Sequence, residues 1–458
     1  MITRIMGIET EYGLASSDSS GAPIGMDSSD LAQELFFDFQ QREGSTSAFL
    51  KNGGRLYLDV GDHPEYATAE CSQIREVLAQ DRAGDIILGE MARAAQARLG
   101  QVNIHLFKNN VDTAAHSYGC HENYLVRRRL DFVDRLNDLV PFFVTRQLLV
   151  GAGYVHHEPG TVRFELSQRA RHMHSAISTS STRTRPMINT RDEPHADAQH
   201  YRRMHVIVGD SNMSSATTAL KVGMTNAVLN VMEDGIRLPF MQLRDPIKAI
   251  RDVAQDLSGT VLLERVGGQS VSALEIQSAL FDVVKNHYEK AGWMAQIDPL
   301  MRYVFDLWER TLTAFAHNDF SGVHTEIEWI AKYELITRYR HRFHVPLSDD
   351  RISRLELSWH DITSAGLREK LERSGMLKSV IDQEVIAHAV SHAPRTTRAH
   401  IRSKFISAAK RHHRDYSADW GLVRLFNEGN GATVGLQDPF STSNDEIDAL
   451  VDSMENNE

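Results

Sequence analysis

Five short runs alternate apolar and polar positions with a period of two: Arg4 to Tyr12, Arg55 to Val60, Val102 to Phe107, Val162 to Leu166 and Met204 to Val208. Side chains on a strand point alternately to its two faces, so these runs predict strands with one covered and one open face. Helical spacing lies between and after them. Leu220, Met224, Ala227, Val228 and Val231 share one face of a helix that stops at Gly235, and Asp298-Pro299 caps and starts a helix carrying Met301, Phe305, Trp308 and Leu312. Strands dominate the first half of the chain and helices the second. The pattern predicts an α+β protein, in which helices back one face of a largely antiparallel sheet and leave the other face free for a ligand.

Ser391-His392-Ala393-Pro394 interrupts this organisation. Thr397 to Arg414 then reads as a basic helix with Ile401, Phe405, Ile406 and Ala409 on its buried side. The expected division is a catalytic domain over 1–390, a small C-terminal domain over 391–445, and an acidic, disordered tail over 446–458 with few apolar residues. Fixed-period repeats and low-complexity tracts are absent from the sequence.

The chain has 458 residues, 41% of them hydrophobic, enough for a substantial core. Sixty-one acidic against 50 basic residues leave a net charge of −11, which offers no global attraction for nucleic acid or an anionic membrane. Glu9 and Glu11 fall where a signal peptide needs apolar residues, and the apolar stretch Pro141 to Tyr154 contains Arg146 and is too short to span a bilayer. A soluble, cytoplasmic protein without nucleic-acid or membrane partners is expected. Cys71 and Cys120 make neither a disulfide framework nor a zinc site, and read as buried free thiols.

Strand periodicity also gathers chemistry. In Gly7-Ile8-Glu9-Thr10-Glu11-Tyr12 the two carboxylates point the same way, and in Arg55-Leu56-Tyr57-Leu58-Asp59-Val60 a cation, a phenol and an acid share one face. His63 to Glu70 adds Glu65 and Glu70, with Pro64 at an irregular strand entry. Clustered oxygen donors suit Mg²⁺ shared with nucleotide phosphates better than they suit zinc, and solvated strand-face acids are the competing reading. Neither a P-loop nor a dinucleotide-binding glycine turn is present, so phosphates fall to metals and arginines, among them Arg55 and the run Arg183, Arg185, Arg191, Arg202 and Arg203. The doublets His156-His157 and His412-His413 lack supporting spacing for a metal and read as structural or solvated.

Longer stretches carry a resemblance: Arg4 to Gly13, Asn52 to Asp59, His63 to Cys71, Leu106 to Asn110, Ser117 to Tyr124, Asn189 to Asp197 and Val208 to Ser214. Together they resemble the Pup ligase/Pup deamidase family. The resemblance implies a glutamine-synthetase-like catalytic domain and an ATP- and Mg²⁺-dependent ligase. It would activate the C-terminal glutamate of the small acidic protein Pup as a γ-glutamyl phosphate and join it to lysines of target proteins, marking them for the bacterial proteasome. Carried over to this sequence, it implies magnesium positions at Glu9, Tyr57 and Glu65, ATP contacts at Arg55, Thr68 and Trp420, and a general base at Asp59. Asp59 has an independent logic, because a lysine ammonium of pKa about 10.4 must lose a proton before it attacks. Tyr57 is an unusual member, since a neutral phenol is a poor magnesium ligand and its backbone carbonyl or a water would be the group reaching the ion.

The nearest rival is the deamidase and depupylase branch of the same family. That branch carries a long early insertion, for which the span Ala15 to Leu50 leaves no room. A catalytically silent adaptor and a ligase acting on small molecules are more distant rivals. Because Pup and this chain are both acidic, binding is expected to draw on a local basic groove at Arg183, Arg185, Arg202 and Arg203.

Overall fold

The computed structural model describes residues 2–59, 61–112, 117–180, 185–239, 241–426 and 431–456. Eight strands form its main sheet, in the order Ser175–Ser178, Pro186–Asn189, Tyr201–Val206, Cys120–Arg127, Met6–Glu11, Pro64–Ala67, Arg55–Leu58 and Ser47–Phe49. The first two strands pair in parallel and all the others antiparallel. One face is core: Ile8, Thr10, Leu56, Tyr66, Cys120, Tyr124, Met204 and Val206 are buried on it. Helices Ile74–Leu99 and Ser215–Glu233 back the sheet. The latter is buried nearly all round, including its polar Thr217, Lys221, Thr225 and Asn230, and starts where the Ser214 hydroxyl accepts from the Thr217 N–H. The second half is helical, as expected, and Pro299–His317 begins at its Asp298 cap with Met301, Phe305, Trp308 and Leu312 inside. The α+β class read from the sequence holds. Cys71 and Cys120 are free and buried.

Helix Ala399–Arg411, strands Tyr416–Asp419, Leu422–Leu425 and Ala432–Gly435, and helix Asp445–Glu455 build a second core around Phe405, Ile406, Val423, Leu425 and Val434. Phe49, from the edge strand of the main sheet, joins it. The last helix corrects the expectation of a disordered tail over 446–458 for its residues up to Glu455. Ile447, Val451 and Met454 form a buried stripe at helical spacing against Ala399–Arg411, and the Asn444 side chain caps the start at 3.1 Å. Three of the acidic residues that suggested disorder, Asp445, Glu446 and Asp448, sit in the first turn, at the positive end of the helix dipole, and Asp448 pairs with Lys404 at 2.7 Å.

Val60 and Arg183, singled out in the sequence, lie outside the described residues. Among those described, no helix is long and apolar enough to cross a membrane.

Candidate active site

The register of the central strands assembles the open face. Glu11 pairs with Glu65 and Glu65 with Tyr57, so Tyr57, Glu65 and Glu11 form one row. Arg55, Ala67, Glu9 and His121 form the next, and Gly7, Asn123 and His205 a third. Residues directly opposite in adjacent strands share a face, so pairing alone brings three carboxylates, two imidazoles and a phenol together.

Glu9 is held from several sides. The Asn123 side-chain amide donates to it at 3.1 Å, His121 Nδ1 lies 3.3 Å from its other oxygen, and Arg203 Nη1 lies 3.7 Å away. Arg203 also reaches Asn123 and His205, each at 2.8 Å. Burial opposes ionisation of Glu9, but the hydrogen bond from His121 and the charges of His205, His121 and Arg203 hold its carboxyl well below the usual range. Glu65 goes the other way. Burial, together with the charges of Glu9 and Glu11, pushes its carboxyl up to about 8. Burial lowers the His205 imidazole to about 3, and neighbouring His121 adds to the effect. The Tyr57 phenol hydrogen-bonds to Glu65 and is pushed up by burial and by the charges of Glu9 and Glu65.

Glu11, Glu65 and His121 bring ligand atoms within 4.8 Å of one another, as do Glu9, His121 and His205, and Glu11, Asp59 and His63. A face on which burial, together with the charges of neighbouring carboxylates, drives one carboxyl up to about 8 has the donor chemistry of an oxygen-ligated divalent cation, which would relieve the repulsion among those charges. Tyr57 meets this cluster through Glu65, which it orients.

Asp59 directly follows strand Arg55–Leu58 and lies near Glu11. Its carboxylate accepts from the N–H groups of Gly61 and His63 at 2.7 and 2.8 Å and faces His63 Nδ1 at 3.1 Å. Burial would raise the Asp59 carboxyl, but the hydrogen bonds from His63 and Gly61 hold it below its usual value, and the bond to Asp59 raises the His63 imidazole in return. Arg55 donates to Ser47 at 3.0 Å and lies over the Tyr57 ring at 4.8 Å. It has no carboxylate partner among the described residues.

A cavity opens at the Gly7 end of the same face. It is lined by Met6, Gly7, Glu9, Thr68, Ala69, Asn123, Leu125, His195, Arg203 and Trp420, and encloses about 560 Å³ including its mouth. Thr68 Oγ1 accepts the Ile8 N–H at 3.1 Å, and a Cβ on Gly7 would come within 3.1 Å of that oxygen, so glycine keeps this corner open. Trp420, in the turn after Tyr416–Asp419, packs edge-on to Phe49 at 4.9 Å and forms the far wall. Arg55 does not line the cavity.

The structure thus brings Glu9, Arg55, Tyr57, Asp59 and Glu65 onto one face and sets Thr68 and Trp420 around the adjoining cavity. Sequence reasoning missed His63, His121, Asn123 and His205 as site residues. The available signal was the same two-residue period, which puts His121 with Asn123 and Arg203 with His205. The doublets at 156–157 and 412–413 enter none of the ligand clusters among the described residues. The expected basic groove divides: Arg203 faces the site, whereas Arg202, one residue earlier on the strand, pairs with Asp192 and covers the Phe132 ring at 5.2 Å. Arg191 pairs with Glu193 at the surface.

The profile of the family described as Pup-ligase protein matches residues 4–424. A Pup–protein ligase of Renibacterium salmoninarum is 43% identical over 99% of this chain and 98% of its own length. Among solved structures, the complex between the prokaryotic ubiquitin-like protein Pup and its ligase PafA matches with a TM-score of 0.92 and 40% identity, over 99% of this chain and 92% of that one. The Pup ligase PafA in complex with ADP matches with a TM-score of 0.85 and 39% identity, over 95% of both chains. Likeness at this level extends to the fold, and with it to the glutamine-synthetase-like catalytic architecture expected above.

Proposed function

The chain belongs to the Pup-ligase family, and from that premise we propose that its open sheet face activates the C-terminal glutamate of Pup with ATP and joins it to lysines of target proteins, which are thereby marked for proteasomal degradation. The observation that carries the assignment of roles is the order of groups along strand Met6–Glu11: an apolar-walled cavity at Gly7, carboxylates at Glu9 and Glu11, and Asp59 beside Glu11. Base, phosphates and acceptor amine of such a reaction fall in the same order.

The adenosine portion of ATP occupies the cavity, against Trp420 and Thr68, with its phosphates directed over Glu9 toward Glu65 and Glu11. Glu9, Glu65 and Glu11, with Tyr57 orienting Glu65, would hold Mg²⁺, which when bound neutralises phosphate charge. Arg55 and Arg203 flank this row and contribute fixed positive charge to the phosphoryl oxygens. An oxygen of the glutamate side-chain carboxylate attacks the γ-phosphorus, the bond to ADP breaks, and an acyl phosphate forms. The lysine amine, having given a proton to Asp59, attacks the acyl carbon and inorganic phosphate leaves. Asp59 is ionised at neutral pH because Gly61 and His63 hydrogen-bond its charged form. We place this activity in the cytoplasm.

Incubation of the chain with ATP, Mg²⁺, Pup and a lysine-bearing protein tests the reading. A covalent Pup–protein adduct formed together with ADP is expected. Release of Pup from a conjugate without net ligation would support the deamidase branch instead.

A further inference from the structure

Trp420 belongs to the C-terminal core, yet it walls a cavity of the main sheet, so its position depends on how the two cores are joined. A buried ionic cluster makes that join. Glu70, just beyond strand Pro64–Ala67, accepts from Arg398 Nε at 2.7 Å and from Arg402 Nη1 at 3.0 Å, with Arg402 Nη2 on its other oxygen. Both arginines come from helix Ala399–Arg411 or its cap, and all three side chains are buried. Arg402 goes further. Nη2 donates to the Gly53 carbonyl at 2.9 Å and Nη1 to the carbonyl of Trp420 at 3.2 Å, while the guanidinium lies over the Phe49 ring at 4.7 Å and the Trp420 ring at 5.2 Å. Gly53 fits there because it lacks a Cβ: one added at its φ of 81° would press to 3.1 Å on Ala69, Ala393 and Ala399.

We infer that Arg402 is a positioning residue for nucleotide binding, fixing the Trp420 wall of the cavity by tying the backbone of Trp420 to Glu70 and Gly53 of the main sheet. The inference rests on the reading of the cavity as the adenosine site. Burying two arginines against one carboxylate is a poor way to gain stability, because apolar side chains of similar volume often serve as well. Directionality is what an apolar cluster lacks. One planar fork here addresses a carboxylate, two carbonyls and two ring faces together, and a lysine, with a compact charge and no plane, cannot reproduce that set. Burial opposes the charge on Glu70, but Arg402 and Arg398 bring its carboxyl down to about 2, so the cluster stays ionised through the working pH range.

The test compares Arg402→Lys, Arg402→Met, Phe49→Leu and Trp420→Ala by calorimetric ADP affinity, by KM for ATP and kcat in ligation, and by melting temperature without nucleotide. Both Arg402 variants are expected to weaken ADP binding and raise KM for ATP about tenfold, the scale of losing one base–aromatic stack. The kcat at saturating ATP should stay within about twofold, since the contact acts on ground and transition states alike. Arg402→Lys that binds ADP like the native chain overturns the inference, as does a fall in kcat with KM unchanged. Phe49→Leu keeps an apolar residue in the core while removing the ring beneath Arg402 and Trp420, so it carries the test if the Arg402 variants fail to fold. Unchanged ADP affinity in Phe49→Leu would then overturn the inference. The Trp420→Ala arm separates the two levels. If it leaves ADP affinity unchanged, the adenosine-site reading falls and the positioning role with it; if it weakens ADP while Arg402→Lys does not, only the positioning role falls.

Discussion

Replacing Asp59 by asparagine isolates the proton-transfer step. The amide oxygen of the new side chain can still accept from the Gly61 and His63 N–H groups, which lie 2.7 and 2.8 Å from Asp59 in the native chain, so the turn survives, and Asp59 does not line the nucleotide cavity. What disappears is the basic oxygen facing His63 and any incoming ammonium. Loss of a general base lowers a rate by about 10²–10⁴, or roughly 3–5 kcal/mol of activation free energy. Ligation by Asp59→Asn should fall by that factor, while calorimetric ADP affinity and ADP formation in the absence of acceptor protein stay near native. Single-turnover transfer of Pup to a lysine-bearing protein, followed by gel shift, measures the first. A second readout is spectroscopic. The largest influence on the His63 imidazole is its bond to Asp59, which raises it above its ordinary 6.5, so the variant's His63 should titrate lower by NMR. The native pair stabilises the fold in a bounded window: the Asp59 part is lost as pH falls through a value below its ordinary 3.8, and the His63 part is lost as pH rises through a value above 6.5. Ligation within about tenfold of native, or loss of ADP binding, would refute the assignment.

Glu9→Ala and Glu65→Ala should each abolish ADP formation and ligation, and should remove the Mg²⁺ dependence of ADP affinity; a dependence kept in both variants would count against these residues as metal holders. Glu356, which accepts the Val155 N–H at 3.0 Å, is raised by burial to about 7. Its folded state therefore holds a proton that the unfolded chain releases near 4.5, and this contribution, on the order of 3 kcal/mol, is present in acid and lost as pH rises from there through 7. Glu356→Gln should accordingly raise the melting temperature at pH 8 and leave it nearly unchanged at pH 4, and equal shifts at both would refute the cause. Val451→Asp places a charge in the C-terminal core at a cost of about 3 kcal/mol or more. It should lower the melting temperature and weaken ADP binding, whereas native behaviour would show that the last helix is dispensable.

The parts of the fold legible in the sequence are those where polarity and burial agree. Met6–Glu11 alternates because Ile8 and Thr10 are covered while Glu9 and Glu11 are not. Its neighbour Cys120–Arg127 was not recognisable as a strand. Glu122 stands on the core face, fully buried, and the sequence shows a charge where a half-covered strand should show an apolar residue. The compensation is distant in sequence: Arg146 meets Glu122 with two bonds of 2.6 and 2.8 Å, and the Tyr124 hydroxyl adds a third at 2.7 Å. The last helix misled for the converse reason, since three of its acids are placed at its start by the helix dipole and its three buried residues are too few to outweigh the acidic side chains in composition.

The same distinction runs through the site. Glu9 with Glu11, and Arg55 with Tyr57 and Asp59, are joined by the period of a single strand, which any sequence displays. His121, Asn123, Arg203 and His205 reach Glu9 only through pairing between strands, and no local pattern states a register. That register is nevertheless what makes the acidic face workable. A slip of Cys120–Arg127 by one residue against Met6–Glu11 would turn His121 and Asn123 into the core and bring Glu122 out beside Glu9 and Glu11. The face would gain a fourth carboxylate and lose the imidazole that helps hold Glu9 ionised. Arg146 would meanwhile be left buried without its partner, at a cost of about 3–5 kcal/mol. The buried Glu122–Arg146 pair therefore acts on the site from the opposite side of the sheet, by making the one register that presents His121 to Glu9 the only register in which Arg146 is paired.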